Sequence, residues 1–151
     1  VRSARADFRG VQPIQPHDLP AVTALDVAAF GCARGELLAK LMQRSSSFAC
    51  VSESAGVLRG YLLGRDGRNA THVGPIVAED EDTAIALLAY ALARLSGPVL
   101  TDVLDCHGRV TQALARWGFA IERPFTRMTL DRERPFGEEH LMVAIAGPEL
   151  G

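Results

Sequence analysis

Residues 70–104 read ATHVGPIVAEDEDTAIALLAYALARLSGPVLTDVL, from Ala70 to Leu104. Three pieces follow one another in it. Ala70 to Ala78 has the apolar, β-branched character of a buried strand. Thr83 to Leu95 is apolar and alanine-rich, as suits a helix, and Ser96-Gly97-Pro98 stops it. Val99 to Leu104 is a second apolar strand. A strand, a helix and a strand in succession predict two parallel neighbours joined by a right-handed crossover. Gly74-Pro75 lies inside the first strand. Proline cannot donate to a ladder, so the strand is expected to bend there or to stay unpaired on one side. The acidic run Glu79 to Asp82 suits the positive end of the helix that follows.

The pattern upstream is different. A short strand is expected over Val11 to Gln15. A helix then runs from the Asp18–Pro20 entrance through Val22, Leu25, Asp26, Ala29 and Phe30 to the stop at Gly31. A second helix spans Glu36 to Arg44. Phe48 to Ser52, Val57 to Arg65 and the Ala70 strand form an antiparallel meander, with the turn pair Asp66-Gly67 between the last two. Downstream, Gly108 to Trp117 reads as a helix closed by Gly118. Phe119 to Arg123 and Phe125 to Leu130 read as strands around Pro124. Asp131 to Gly151 reads as a loop-rich tail with a short apolar stretch, Leu141 to Ala146. This order predicts an α/β (α+β) layered fold, a mixed and mostly antiparallel sheet with helices on both faces. Residues 1–10 are expected to be disordered or a linker, and 11–151 one domain.

Composition limits the function. Sixteen basic residues face 18 acidic ones, which argues against a dedicated nucleic-acid or membrane-surface binder. No apolar run approaches the roughly 20 residues of a membrane span. Cys32, Cys50 and Cys106 are odd in number and widely spaced, so neither a zinc ribbon nor a disulfide framework is indicated, and reduced thiols in the cytoplasm are expected. The four histidines are scattered, and no metal site is expected.

Short segments carry a resemblance. Ala113 to Phe119 reads ALARWGF and is similar to the segment that closes the fourth helix of GNAT (Gcn5-related) N-acetyltransferases. Gly74 to Ala78, Leu104-Asp105, Thr126-Arg127-Met128, Phe30-Gly31 with Arg34, and the ending Gly147 to Gly151 resemble the YitH-like subgroup. There this unit is often the C-terminal half of a tandem protein. The resemblance covers the chain from about Val11 onwards. It implies the GNAT acyl-CoA N-acyltransferase fold and acetyl-CoA as cosubstrate. It also implies a small-molecule amine as acceptor and a homodimer or a second GNAT domain as partner.

Two departures stand beside it. The family's glycine-containing pyrophosphate loop is replaced by Ala78-Glu79-Asp80-Glu81-Asp82-Thr83, four carboxylates where the cosubstrate brings negative charge. One like-charge contact at about 4 Å would cost on the order of 4 kcal/mol at an effective dielectric of 20. The position of the family's tyrosine acid holds Leu114, which cannot protonate a thiolate.

Candidate residues follow from placement. Val77 and Ala78, on the bent strand, are the expected backbone contacts to the pantetheine arm, with Asp82 and Thr83 at the adjoining helix start. Asp105, at the end of the fifth strand where ligands gather, Asp26 on the first helix, and Tyr61 on a central strand are the candidate catalytic groups. Phe30, Arg34 and Asp102 are the candidate substrate contacts. Asp26 holds a cationic amine or pairs structurally with Arg34 or Arg127, because a buried carboxylate needs a partner. Two functions are expected: transfer of acetyl from acetyl-CoA to a primary amine, or a catalytically degenerate GNAT-like ligand-binding or interaction domain.

Overall fold

The computed structural model describes Phe8, residues 10–128, Leu130, Asp131, Arg134 and residues 136–148. The expected linker over residues 1–10 lies almost wholly outside the described residues, as does the end of the 147–151 segment.

Among the described residues six strands form one sheet: β1 (Val11–Pro13), β2 (Cys50–Ser54), β3 (Val57–Asp66), β4 (Thr71–Ala78), β5 (Val99–Leu100) and β6 (Met142–Ala144). Four α-helices among the described residues flank it: α1 (Leu19–Phe30), α2 (Gly35–Arg44), α3 (Glu81–Leu92) and α4 (Gly108–Arg116). The strand order is β1-β2-β3-β4-β5, with β6 pairing β4. All pairs are antiparallel except β4–β5, the pair joined through α3.

The two-residue period of β3 sorts its side chains between two cores. Tyr61 and Leu63 face α1 and α2 with Val22, Leu38 and Val77. Leu62 faces α3 and α4 with Leu87, Leu88 and Val110. Each fully buried leucine contributes about 2 kcal/mol from lost water contact. Helix α1 ends as its sequence dictates, on Gly31 at φ 89°, in the left-handed region that a glycine enters without strain.

Beyond Leu100 the chain and β4 part company. Thr71 and His72 pair with Val99 and Leu100, but Ile76 and Val77 pair with Ala144 and Met142 instead. β6 lies between β4 and the continuation of β5. The Leu104 N–H donates to the Val143 carbonyl, and the Ile145 N–H donates to the Asp102 carbonyl. β4 is therefore paired on both sides, and six of its eight residues are buried. The switch of partner falls at Gly74-Pro75, where the sequence predicts a bend or an unpaired side; the strand itself runs on through it.

Two expectations are corrected. Phe119 to Arg123 and Phe125 to Leu130 are not strands. The described residues there run as irregular chain, with Ile121 85% and Met128 87% exposed. An apolar run becomes a strand only when an edge accepts it, and the edge of β4 belongs to β6. Conversely, Leu141 to Ala146 is no loop tail: it carries β6, with Met142, Val143 and Ala144 fully buried. No described helix is long and apolar enough to cross a membrane.

Candidate active site

Asp26 sits on the buried face of α1 and is fully buried. Arg34, just before α2, reaches it with two bonds: Nε donates to Oδ2 at 2.8 Å and Nη2 to Oδ1 at 2.9 Å. The Tyr61 hydroxyl, from β3, donates to Oδ1 as well. The Arg34 guanidinium also stacks on Phe30, 3.7 Å from the ring centroid. Burial works against the charge on Arg34, but the bonds and charge of Asp26 more than offset it, and its pKa is raised. Burial first, and then the neighbouring Asp26 charge, push the Tyr61 hydroxyl well above its ordinary pKa, with Arg34 partly opposing. The Asp26 and Arg34 charges neutralise each other, while Arg34 Nη1 is buried with no hydrogen-bond partner among the described residues. Of the two roles expected for Asp26, the structure shows the pair with Arg34. Tyr61 is fully buried rather than open to a cavity. Phe30 and Arg34 are engaged with each other, and Arg34 borders an open hollow of about 530 Å³ with Glu36 and Lys40.

The carboxylates that open α3 are each engaged inside the chain. Glu79 meets Arg59 at 2.8 Å. Asp80 is the N-cap and accepts the Thr83 N–H at 2.7 Å. That bond holds its carboxyl below the usual aspartate range. Glu81 accepts the Val110 N–H at 2.9 Å, tying α3 to α4, and Asp82 pairs with Arg109. The Thr83 amide, expected at the pyrophosphate, is thus spent on a cap, and Asp82 is spent on an arginine. Glu53, Arg59, Glu79 and Asp80 line an open hollow of about 580 Å³.

The backbone at Val77 and Ala78, expected to meet the pantetheine arm, is also engaged. Val77 is paired with Met142, and the Ala78 N–H donates to the Leu141 carbonyl at 3.0 Å. In this arrangement β6 and Leu141 hold the backbone groups expected to meet the pantetheine arm.

Where β4 and β5 part, the structure assembles a pair that spacing does not reveal. His72 Nε2 lies 2.9 Å from Asp102 Oδ2. His72 Nδ1 is buried and has no hydrogen-bond partner among the described residues. With the proton on Nε2 and donated to Asp102, Nδ1 presents a lone pair, the arrangement of an oriented base. Sequence reasoning placed Asp102 here but missed His72. Only the parallel register, His72 opposite Leu100, puts the two within reach.

Asp105 and Cys106 are exposed on the turn that follows. Partial burial of the Cys106 thiol, with the carboxylates of Glu139, Glu81 and Asp105 adding to it, raises its pKa. A reactive thiolate is therefore disfavoured. His107 points elsewhere: it is buried, and its Nε2 lies 2.9 Å from the Met142 carbonyl. Leu114 is buried on α4. Among the described residues no group of three His, Cys, Asp or Glu side chains is placed to hold a metal ion.

A sheet whose β4 and β5 diverge, crossed over by α3 and flanked by α1 and α2, defines an acetyltransferase-type domain. Residues 22–142 match the family model of the acetyltransferase (GNAT) domain, and the chain belongs to that family. It is 29% identical over 130 residues to the uncharacterized N-acetyltransferase YitH of Bacillus subtilis (strain 168). That match covers 86% of this chain but 45% of YitH, so the chain spans about half the length of that relative. Ard1 from Thermoplasma volcanium superposes with a TM-score of 0.58 at 16% identity, over 75% of this chain and 83% of the other. A GNAT family acetyltransferase from Brucella melitensis, solved in complex with acetyl-CoA, gives 0.55 at 19% identity, over 85% and 92%. At these identities the structural matches establish the fold.

Proposed function

We propose that this domain moves an acetyl group from acetyl-CoA to a primary amine of a small molecule, as one GNAT unit of a longer cytoplasmic protein. The observation that carries the reading is the family match over residues 22–142. The parting of β4 and β5 supports it, because it makes a space one strand wide, which β6 occupies in this structure. Across such a gap an extended diamide, as pantetheine is, can pair in place of a strand. His72, oriented by Asp102, is the group best placed to take a proton. One proton of the ammonium passes to Nδ1. The amine nitrogen then bonds to the acetyl carbon as the C–S bond breaks, and the proton shed by nitrogen ends on the thiolate.

Calorimetry with acetyl-CoA and with desulfo-CoA tests the first half, and saturable heat is expected. Release of free thiol with a panel of amines tests the second. His72→Ala should lower kcat by 10²-fold or more and leave coenzyme A binding intact. Unchanged turnover in that variant would remove His72 from the mechanism.

A second reading has observations of its own. The capped and acidic start of α3, Leu114 in place of a tyrosine, and β6 on the β4 edge all favour a degenerate GNAT-like domain. Such a domain would bind a ligand or complete an interface with a second GNAT unit. Absence of any saturable binding of either coenzyme would establish this reading over the first.

A further inference from the structure

β4 has two partners on one edge, and they belong to different parts of the chain. Its first half pairs with β5, the strand that α3 returns to it. Its second half pairs with β6, which comes after α4 in the chain, with no helix or strand among the described residues between them. β6 is wedged rather than appended. It accepts the Ala78 N–H through Leu141 on one side, and the Leu104 N–H through Val143 on the other. The wedge is close-fitting: a Cβ on Gly74 would come 2.1 Å from the Ile145 carbonyl oxygen, so only glycine admits the segment at this depth. His107 adds a tie to the Met142 carbonyl from the turn before α4.

We propose that β6 is an autoinhibitory strap: it and the pantetheine arm of coenzyme A compete for one groove, so the cosubstrate enters only when the strap leaves. The inference rests on the acetyl-transfer reading above, which supplies the competing ligand. Its ground is hydrogen-bond arithmetic. The Ala78 and Leu104 amides each donate one bond, and both bonds are spent on the strap. A strand and an extended diamide cannot share a slot about 4.8 Å wide. The strap's three strand residues are fully buried, so the apolar surface bared by its departure is what the entering cosubstrate must cover. The strap holds the sheet by three residues, and irregular chain precedes it, so its departure leaves the remaining five strands paired.

The test uses the full chain and coenzyme A as the probe. Ile76→Cys with Ala144→Cys, in a background with Cys32→Ser and Cys106→Ser, locks the strap to its register partner when oxidised. Ala144→Asp puts a charge in the groove and releases the strap; His107→Leu removes one tie without adding charge and serves if the first does not fold. Circular dichroism and thermal melting establish folding, and mass spectrometry establishes the lock. The oxidised lock is expected to lose coenzyme A binding at least tenfold and to recover it on reduction. The released variants are expected to bind at least tenfold tighter than the parent. Equal affinity in the locked, parent and released proteins overturns the strap and leaves the acetyl-transfer reading standing. No binding in any folded form, released variants included, overturns that reading and the strap with it.

Discussion

Carboxylates meet two opposite settings in this molecule. Asp26 is fully buried and held by Arg34 and Tyr61. Glu79, Asp80, Glu81 and Asp82 open α3, and three of the four hold their bonds at the surface. The bonding is similar in both places; the water is not. Inside, an unpaired charge has no solvent to turn to, so each partner is indispensable to the other. Outside, water replaces a lost partner at little cost, and the same ion pair is worth far less. A cluster of charge in the sequence therefore says little about energy until its burial is known.

The sharpest way to break the comparison is Asp26→Ala. It strands the Arg34 charge and should cost about 3–5 kcal/mol in urea unfolding. Asp26→Leu combined with Arg34→Met and Tyr61→Phe should recover most of that loss, since apolar side chains of similar volume need no partner. If the single variant costs under 1 kcal/mol, the buried unit is not the strong coupling described.

Alkaline pH probes the buried side next. Burial pushes the Cys50 thiol up from 9.0 to about 12. The folded chain keeps that proton while the unfolded chain releases it near pH 9, so stability is full below pH 9 and falls as pH rises toward 12. The slope reaches at most about 1.4 kcal/mol per pH unit from this group. Tyr61, also raised, adds to the fall above its ordinary value of 10.0. Cys50→Ala should flatten the 9-to-10 part of the curve, as followed by thermal melting in a pH series. An unchanged slope would place the loss on other groups.

At the surface the effects should shrink. Asp80→Ala removes the α3 cap and should cost about 1 kcal/mol. The depressed Asp80 carboxyl also makes its contribution present at neutral pH and lost as pH falls below the usual aspartate range. Arg59→Ala, which frees Glu79, should change stability by no more than about 0.5 kcal/mol. A larger loss from Arg59 than from Asp80 would show that the α3 loop is not solvent-screened.

The same contrast explains what could be read in advance. Local pattern foretold the helices, the meander from β2 to β4 and the crossover through α3, because each rests on periodicity and on stop residues such as Gly31 and Pro98. It misread Phe119 to Leu130 as strands and Leu141 to Ala146 as tail. Both segments are apolar, and apolar character cannot say which of two segments a sheet edge will accept. In the site, Asp26 with Arg34 was legible, since an Asp on an apolar helix face needs a partner and an arginine stood one helix turn past its end. His72 with Asp102 was not, because 30 residues separate them and only strand register joins them.

Sequence alone determined which segments become helices, that the sheet is mixed, and that the pairing of β4 is irregular at Gly74-Pro75, for these follow from side-chain spacing and from the missing proline donor. Tertiary structure decided which strand fills the gap beside β4, and so which amides remain for a ligand. Backbone hydrogen bonds are the same for every residue, and only the position of competing segments in space determines which of them is made.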